Sequence, residues 1–443
     1  MKYILLLISI FYCTVSYSQN NSNSSKDSIL KSFNCTIWQT DNENWKTAIH
    51  GYSTSEFVIT KDYYIIVTSR DNSDYPEELY ILSKAAKILK KFSIDYQAAP
   101  LYLVNDSKTI FTNNIFCLTG QYGKGLMIDA AALLNIDQSA FESGVNANEP
   151  SYRDWIVNYW KYSNKYEAYV GSNIETFHVI NSETIFDHSE PYTLGISTSD
   201  FSHKPYIAIN QNFHFLLPEA LTKDNYKETN YEIIKAISYD EATIKIFVKC
   251  LLYPTKIAYI VFDKYTDKFT LKRIIDLTAG TIEHKDHPDF YDNIDITLSM
   301  DGGFYIMANK GIHVKKFNSA GDMVWFKTFG VFNRVDDIAY DFLCDDKFLY
   351  ISGVTLSHGQ LGHSNALIIV ADVKTGKQIN YMNWSPYILN RSACIPTITK
   401  EKDFLIFQIL DQAKENYSIY SKDEKYDELS LMRLKFNGSD FVF

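Results

Sequence analysis

Asp301-Gly302-Gly303-Phe304-Tyr305-Ile306-Met307 reads as a tight turn that feeds a β-strand. Glycines allow the sharp reversal, and the aromatic and β-branched run that follows suits an extended, packed backbone. The pattern continues outward from there. Gly311 to Phe317 forms a second strand, Asn318-Ser319-Ala320-Gly321-Asp322 a second turn, and Met323 to Lys327 a third strand. Downstream the same plan returns. Asp345-Asp346-Lys347 turns into Phe348 to Ser352, Asn365 to Ala371 forms the next strand, and Asp372 to Gly376 turns into Lys377 to Tyr381. Phe304 and Phe348 stand 44 residues apart, the spacing of one propeller blade.

Weaker copies of the triplet lie upstream. Tyr63 to Thr68, Leu79 to Ser83 and Ile88 to Phe92 make one, and Lys245 to Cys250, Ala258 to Phe262 and Thr270 to Ile275 make another. Further β-type runs occur at Ile244 to Val248 and Phe404 to Phe407. Hairpin-linked strands at this period bury both faces of each sheet by radial repetition. The expectation is an all-β chain, a β-propeller of seven blades with eight as the alternative, carrying a small, partly helical insertion. At roughly 45 to 60 residues per blade with loops, the chain length gives that count. Ring closure is expected between a strand near Thr36 to Trp38 and the segment Leu429 to Phe436. The Ala/Leu-rich stretch Met127 to Ser139 and the stretch Tyr152 to Tyr162 are the helix candidates, and Gln121 to Ser151 is read as the insertion.

The first residues read as a signal peptide, 1–18. Lys2 supplies the positive start, Ile4 to Val15 an apolar core, and Ser16-Tyr17-Ser18 a small-x-small cleavage site. The mature chain would begin at Gln19, with a flexible polar leader over 19–31 and the propeller domain over 32–443. Tyr12 occupies the position before Cys13 where a lipidation signal wants a small residue. No later stretch is long and apolar enough to cross a membrane. The remaining cysteines, Cys35, Cys117, Cys250, Cys344 and Cys394, are odd in number and match no metal or disulfide framework.

The formal net charge is -10. Nucleic acid and anionic membrane surfaces both require clustered Lys and Arg, so the charge argues against nucleic acid and disfavours an anionic membrane surface as partners. The arginines are few and scattered: Arg70, Arg153, Arg273, Arg334, Arg391 and Arg433. Tyr and Phe are abundant, at 33 and 28. That abundance fits a sugar-stacking surface, but it fits strand-forming composition better.

The segments Ser299 to Gly330 and Phe348 to Tyr381 resemble bacterial β-propeller repeats of the quinoprotein-like kind. The likeness rests on Asp301-Gly302-Gly303-Phe304, on Gly321-Asp322-Met323-Val324-Trp325-Phe326-Lys327-Thr328-Phe329-Gly330, and on Asp372-Val373-Lys374-Thr375-Gly376-Lys377. It covers about a fifth of the chain well. It implies architecture and transfers no catalytic residue. The Ser-Gln junction and the Asn/Ser-rich stretch Asn20 to Ser25 resemble exported proteins of Bacteroidetes-type bacteria.

Candidate chemistry is sparse. Glu283-His284-Lys285-Asp286-His287-Pro288-Asp289 is the densest set of metal-type ligands, yet it reads better as a solvated loop. The acidic loops Asp71 to Asp74 and Asp286 to Asp295 lack the ordered spacing of an EF-hand. Ser299 to Ile306 partly matches the Asp-box turn of sialidase propellers, with Ile306 in place of the aromatic, and that box is itself only a turn device. Nucleophile-elbow, zinc-helix and P-loop patterns are absent. No catalytic residue, metal ligand or cofactor is nominated. The ligand-contact candidates are Trp38, Trp45, Trp155, Trp160 and Trp384, because Trp is enriched at binding hot spots, together with His358 and His363 around Gly359 to Gly362. Trp325 is set apart as an inter-blade packing residue. The functional expectation is a non-catalytic exported propeller, periplasmic or envelope-associated, that binds an envelope protein or a glycan. A carbohydrate-active hydrolase or lyase on the same scaffold is the alternative.

Overall fold

The computed structural model describes residues 38–39, 45–50, 54–69, 77–94, 101–103, 113–120, 124–145, 153–161, 178–187, 190–198, 205–209, 213–217, 231–240, 242–250, 253–278, 294–308, 311–330, 337–355, 365–384, 391–413 and 428–442. Residues 1–18, read as a signal peptide, residues 19–31, read as a leader, and the segment Glu283 to Asp289 lie outside them.

The described residues form an all-β, propeller-type chain of antiparallel sheets laid out in sequence order. The first sheet holds Thr54–Ile59, Tyr63–Ser69, Glu77–Ser83 and Ile88–Ile94. The second holds Leu101–Leu103, Ile115–Gly120, Lys124–Asp129 and Ile156–Lys161. The third holds His178–Asp187, Glu190–Thr198, Pro205–Ile209 and Phe213–Leu216. The fourth holds Tyr231–Ser238, Thr243–Cys250, Tyr253–Asp263 and Lys268–Asp276. The fifth holds Ile294–Leu298, Phe304–Ala308, His313–Phe317 and Met323–Thr328. The sixth holds Asp337–Cys344, Phe348–Thr355, Asn365–Asp372 and Gln378–Trp384. In the seventh, Arg391–Cys394 and Ile398–Glu401 both pair with Phe404–Ala413, which pairs with Glu428–Phe436.

The expected triplets are the second, third and fourth strands of these sheets. The first strand of each sheet lacked an apolar run. Asp337-Ile338-Ala339-Tyr340-Asp341 shows why: such a strand lies at the inner end of its sheet and mixes buried and exposed positions. First strands lie beside first strands. Thr54–Ile59 neighbours Leu101–Leu103, and His178–Asp187, Tyr231–Ser238, Ile294–Leu298 and Asp337–Cys344 follow one another side by side. They make the inner wall of the ring.

Closure differs from expectation by one strand. Trp45–His50, not the segment near Thr36 to Trp38, pairs with Glu428–Phe436, and Trp38–Gln39 adds outside it. An amino-terminal strand therefore completes the last sheet. Between the first and last sheets, Phe57, Ile59, Tyr64 and Ile66 pack with Ile406 and Leu431 in one buried cluster. Elsewhere too the core lies between sheets. Tyr305, Met307 and Val314 of the fifth meet Leu349, Ile351, Leu367 and Ile369 of the sixth. Strands covered on both faces read as continuous apolar runs, as these do.

The insertion is smaller than expected. Lys124–Asp129 is a sheet strand, with Leu126 and Ile128 buried and Met127 between them only partly so. Helix begins only at Asp129, whose carboxylate accepts from the Ala131 amide at 2.8 Å. Ala130–Leu133 and Gln138–Val145 are two short helices rather than one, the second started by Asp137 accepting from the Ala140 amide. In the stretch Tyr152 to Tyr162 the described residues 153–161 contain the strand Ile156–Lys161 and no helix. The insertion protects an edge. The Gln138 amide group donates to the Ser93 carbonyl and accepts from the Ser93 amide, so it pairs with the outer strand of the first sheet as another strand would.

Candidate functional site

Antiparallel sheets send their connections alternately to two ends of the ring. First-to-second and third-to-fourth connections leave at one end, and the others leave at the opposite end. Among the described residues the first end carries short turns: 60–62, 84–87, 239–240, 264–267, 299–303, 318–322, 345–347, 373–377 and 402–403. Its longer pieces are 104–114 and the helical insertion. The connections 162–177, 218–230, 279–293, 356–364 and 414–427 all join strands at the opposite end, and they lie outside the described residues.

The acidic turns at the first end are structural. The Thr375 hydroxyl and amide hold the Asp372 carboxyl below the usual carboxylate range. The Thr266 amide does the same for Asp263. Asp301 accepts from the Gly303 amide and pairs with the Lys316 ammonium at 2.7 Å. These contacts use the carboxylates to fix turns, which accounts for the Asp-box-like pattern at Ser299 to Ile306. Trp325 is the inter-blade residue expected: its indole N–H donates to the Val373 carbonyl of the next sheet, and its ring lies 5.7 Å from that of Tyr305.

First strands begin at the long-connection end, so their opening residues ring the inner wall there. Three of them slip register near that end, between Val179 and Asn181, between Ile233 and Lys235, and between Ala339 and Asp341. Bulges of this kind re-aim side chains. Tyr340, in the third slip, is 45% exposed although its strand is otherwise mostly buried. Burial of its hydroxyl, with Cys394 of the seventh sheet nearby, raises its pKa. Charged pairs flank this wall. Lys235 and Asp295, on neighbouring first strands, approach to 3.9 Å, and Lys249 pairs with Glu232 at 3.1 Å.

A second concavity lies at the insertion. It is a cleft of about 470 Å³ lined by Ala132, Asn135, Ile136, Arg153, Asp154 and Trp155. Arg153 is committed there, donating to the Ala140 carbonyl and the Ser143 hydroxyl.

The sequence candidates do not form one site. Trp155 is 3% exposed and stacks on Phe141, so its packing role is established whatever else its edge meets in the cleft. Trp160, next to last in Ile156–Lys161, and Trp384, last in Gln378–Trp384, lie on the outer strands of the second and sixth sheets near the long-connection end. Trp38 and Trp45 sit on the two amino-terminal strands of the closing sheet. His358 and His363 lie outside the described residues, in the connection from Thr355 to Asn365. Sequence reading missed Lys235, Asp295 and Tyr340, single residues whose neighbours come from other sheets. Among the described residues, no three His, Cys, Asp or Glu side chains gather as a metal site, and no helix is long and apolar enough to cross a membrane.

No protein-family model and no curated protein matches the chain. Solved structures do resemble it. A polysaccharide lyase, Uly1, aligns with a TM-score of 0.45 and 10% identity over 87% of this chain and 90% of its own. The WD40 domain of SCAP from fission yeast gives 0.36 and 8% identity over 88% of this chain and 98% of its own. A GH43 endo-arabinanase from Bacillus licheniformis gives 0.29 and 11% identity over 60% of this chain and 97% of its own.

Proposed function

We propose that this chain is an exported, seven-bladed binding propeller whose ligand, an envelope glycan or protein, docks at the long-connection end. One observation carries the reading. The strand ends that bound the connections 162–177, 218–230, 279–293 and 414–427, the longest outside the insertion, all lie at one end of the inner wall, while described turns at the other end have their carboxylates engaged. Loops held by a rigid scaffold are where binding surfaces are built. Tyr340 supplies an exposed aromatic group and the Lys235–Asp295 pair half-buried charged groups on the adjoining wall. The apolar run Ile4 to Val15 supports export to the periplasm or envelope, and the Asp-turn and Trp-strand rhythm supports kinship with quinoprotein-like repeats.

The test is the mature chain, from Gln19 onward, against a panel of polysaccharides, with binding and released product read together. Saturable binding without product is the expected result. Product release overturns the non-catalytic reading in favour of a hydrolase or lyase. With neither, crosslinking in the native envelope distinguishes a protein partner from no partner.

A further inference from the structure

Asp337, Thr355 and Asn365 lie directly opposite one another on three adjacent strands of the sixth sheet. Asp337 pairs in register with Thr355, and Thr355 with Asn365. Register partners in antiparallel strands share a face, with their Cβ atoms about 4.5–5.5 Å apart. The three side chains therefore stand in one row, on the face that looks toward the fifth sheet. The Gly311 amide of that sheet donates to the Asp337 main-chain carbonyl at 2.9 Å. Burial is close to complete, with Asp337 and Thr355 at 0% exposure and Asn365 at 4%. Below the row the same face is apolar: Leu367, Ile369, Leu349 and Ile351 continue it into the core.

One feature of this row is unsatisfied. The Asn365 side-chain oxygen has no hydrogen-bond partner although it is buried. Buried acceptors are rarely left unpaired, because a lost water contact must be replaced. A cation would complete this acceptor, and a carboxylate and a hydroxyl that could share the ion stand in the same row. The donors are all oxygen, with no imidazole or thiolate among them, which favours a hard ion over zinc or copper. Side chains projecting from three flat strands offer spacing that calcium tolerates better than magnesium, whose octahedral demands are strict.

We propose that the Asp337–Thr355–Asn365 row binds a calcium ion at the long-connection end of the fifth and sixth sheets. Waters and main-chain carbonyls complete the six to eight oxygens calcium takes. The ion fastens two neighbouring blades at the end where the ligand docks. It does not depend on what that ligand is.

The experiment uses the full chain, stripped with EDTA and desalted, then titrated with calcium chloride while its melting temperature is followed by intrinsic fluorescence. Terbium luminescence gives an independent measure of occupancy. The wild type is expected to melt higher with calcium and to bind terbium, and magnesium at equal concentration is expected to give a smaller shift. Asn365→Ala and Asp337→Asn are expected to weaken terbium binding by about tenfold or more, through the loss of an oxygen ligand or of charge. Asn365→Asp guards against simple misfolding. It is expected to melt below the wild type without calcium and to gain more than the wild type when calcium is added. A wild type indifferent to calcium and terbium overturns the proposal. So does binding unchanged in both weakening variants, an Asn365→Asp variant destabilised equally with and without calcium, or a magnesium shift equal to that of calcium.

Discussion

The Tyr64 hydroxyl of the first sheet donates to the Glu401 carboxylate of the last sheet at 2.6 Å, joining residues 337 positions apart in the chain. Lys84 pairs with the same carboxylate at 2.6 Å. The ring is thus tied at its seam by one carboxylate that serves two partners. Burial first, and the neighbouring carboxylate second, raise the Tyr64 pKa.

Tyr64→Phe is expected to lower stability by about 1–2 kcal/mol, since it removes one buried hydrogen bond and leaves Glu401 its lysine. Glu401→Ala is expected to cost more, because the tyrosine hydroxyl and the Lys84 ammonium both lose their partner. Urea midpoints of the two variants check the order; equal effects contradict the shared role of Glu401.

Lys245 and Lys315 are both buried, donating to the Gly302 and Leu277 carbonyls respectively. Burial pushes each from 10.5 down to about 8. Their folded values lie below the unfolded one, so the unfolded chain binds more protons between pH 8 and 10.5. The cost of burying the charges is full below pH 8 and fades as pH rises. Denaturation midpoints at rising pH are expected to show the wild type gaining on a Lys245→Met/Lys315→Met variant across that window. A constant difference contradicts the assignment.

Gly303 follows the Gly302 turn residue, whose φ is +79°. A Cβ at Gly303 would lie 2.2 Å from the Phe317 carbonyl oxygen. Gly303→Ala is expected to cost about 2–4 kcal/mol, because the strand behind it cannot retreat without breaking its ladder. Thermal melting measures the loss, and a near-neutral result removes the close approach as the reason for glycine.

Trp155 fills space that only Gly144 leaves open, since a Cβ there would lie 2.3 Å from the indole. Trp155→Ala is expected to lose about 3–5 kcal/mol. Paired with the polysaccharide panel, the same variant tests whether its edge also serves a ligand. Lost binding at full retained stability reverses the packing assignment.

Much of the fold was legible from residue order because turns are local. Asp301-Gly302-Gly303 and Asp372 to Gly376 close through bonds between residues two to four apart, so their chemistry lies within a few letters of sequence. Strands covered on both faces, such as Tyr63–Ser69 and Asn365–Asp372, show as apolar runs for the same reason. The helix expected over Met127 to Ser139 forms in part, as two short helices that begin only at Ala130, because Met127 to Asp129 pair in the sheet and Asp129 caps the first turn.

Residue order therefore set the all-β character, the blade rhythm and the turns, each settled by neighbours along the chain. Folding alone decided the rest: Trp45–His50 as the closing strand, the first strands as the inner wall, and the meeting of Asp337, Thr355 and Asn365 in one row. These depend on which distant strand edge is left free to pair. That is a property of the assembled ring, and no short stretch of sequence carries it.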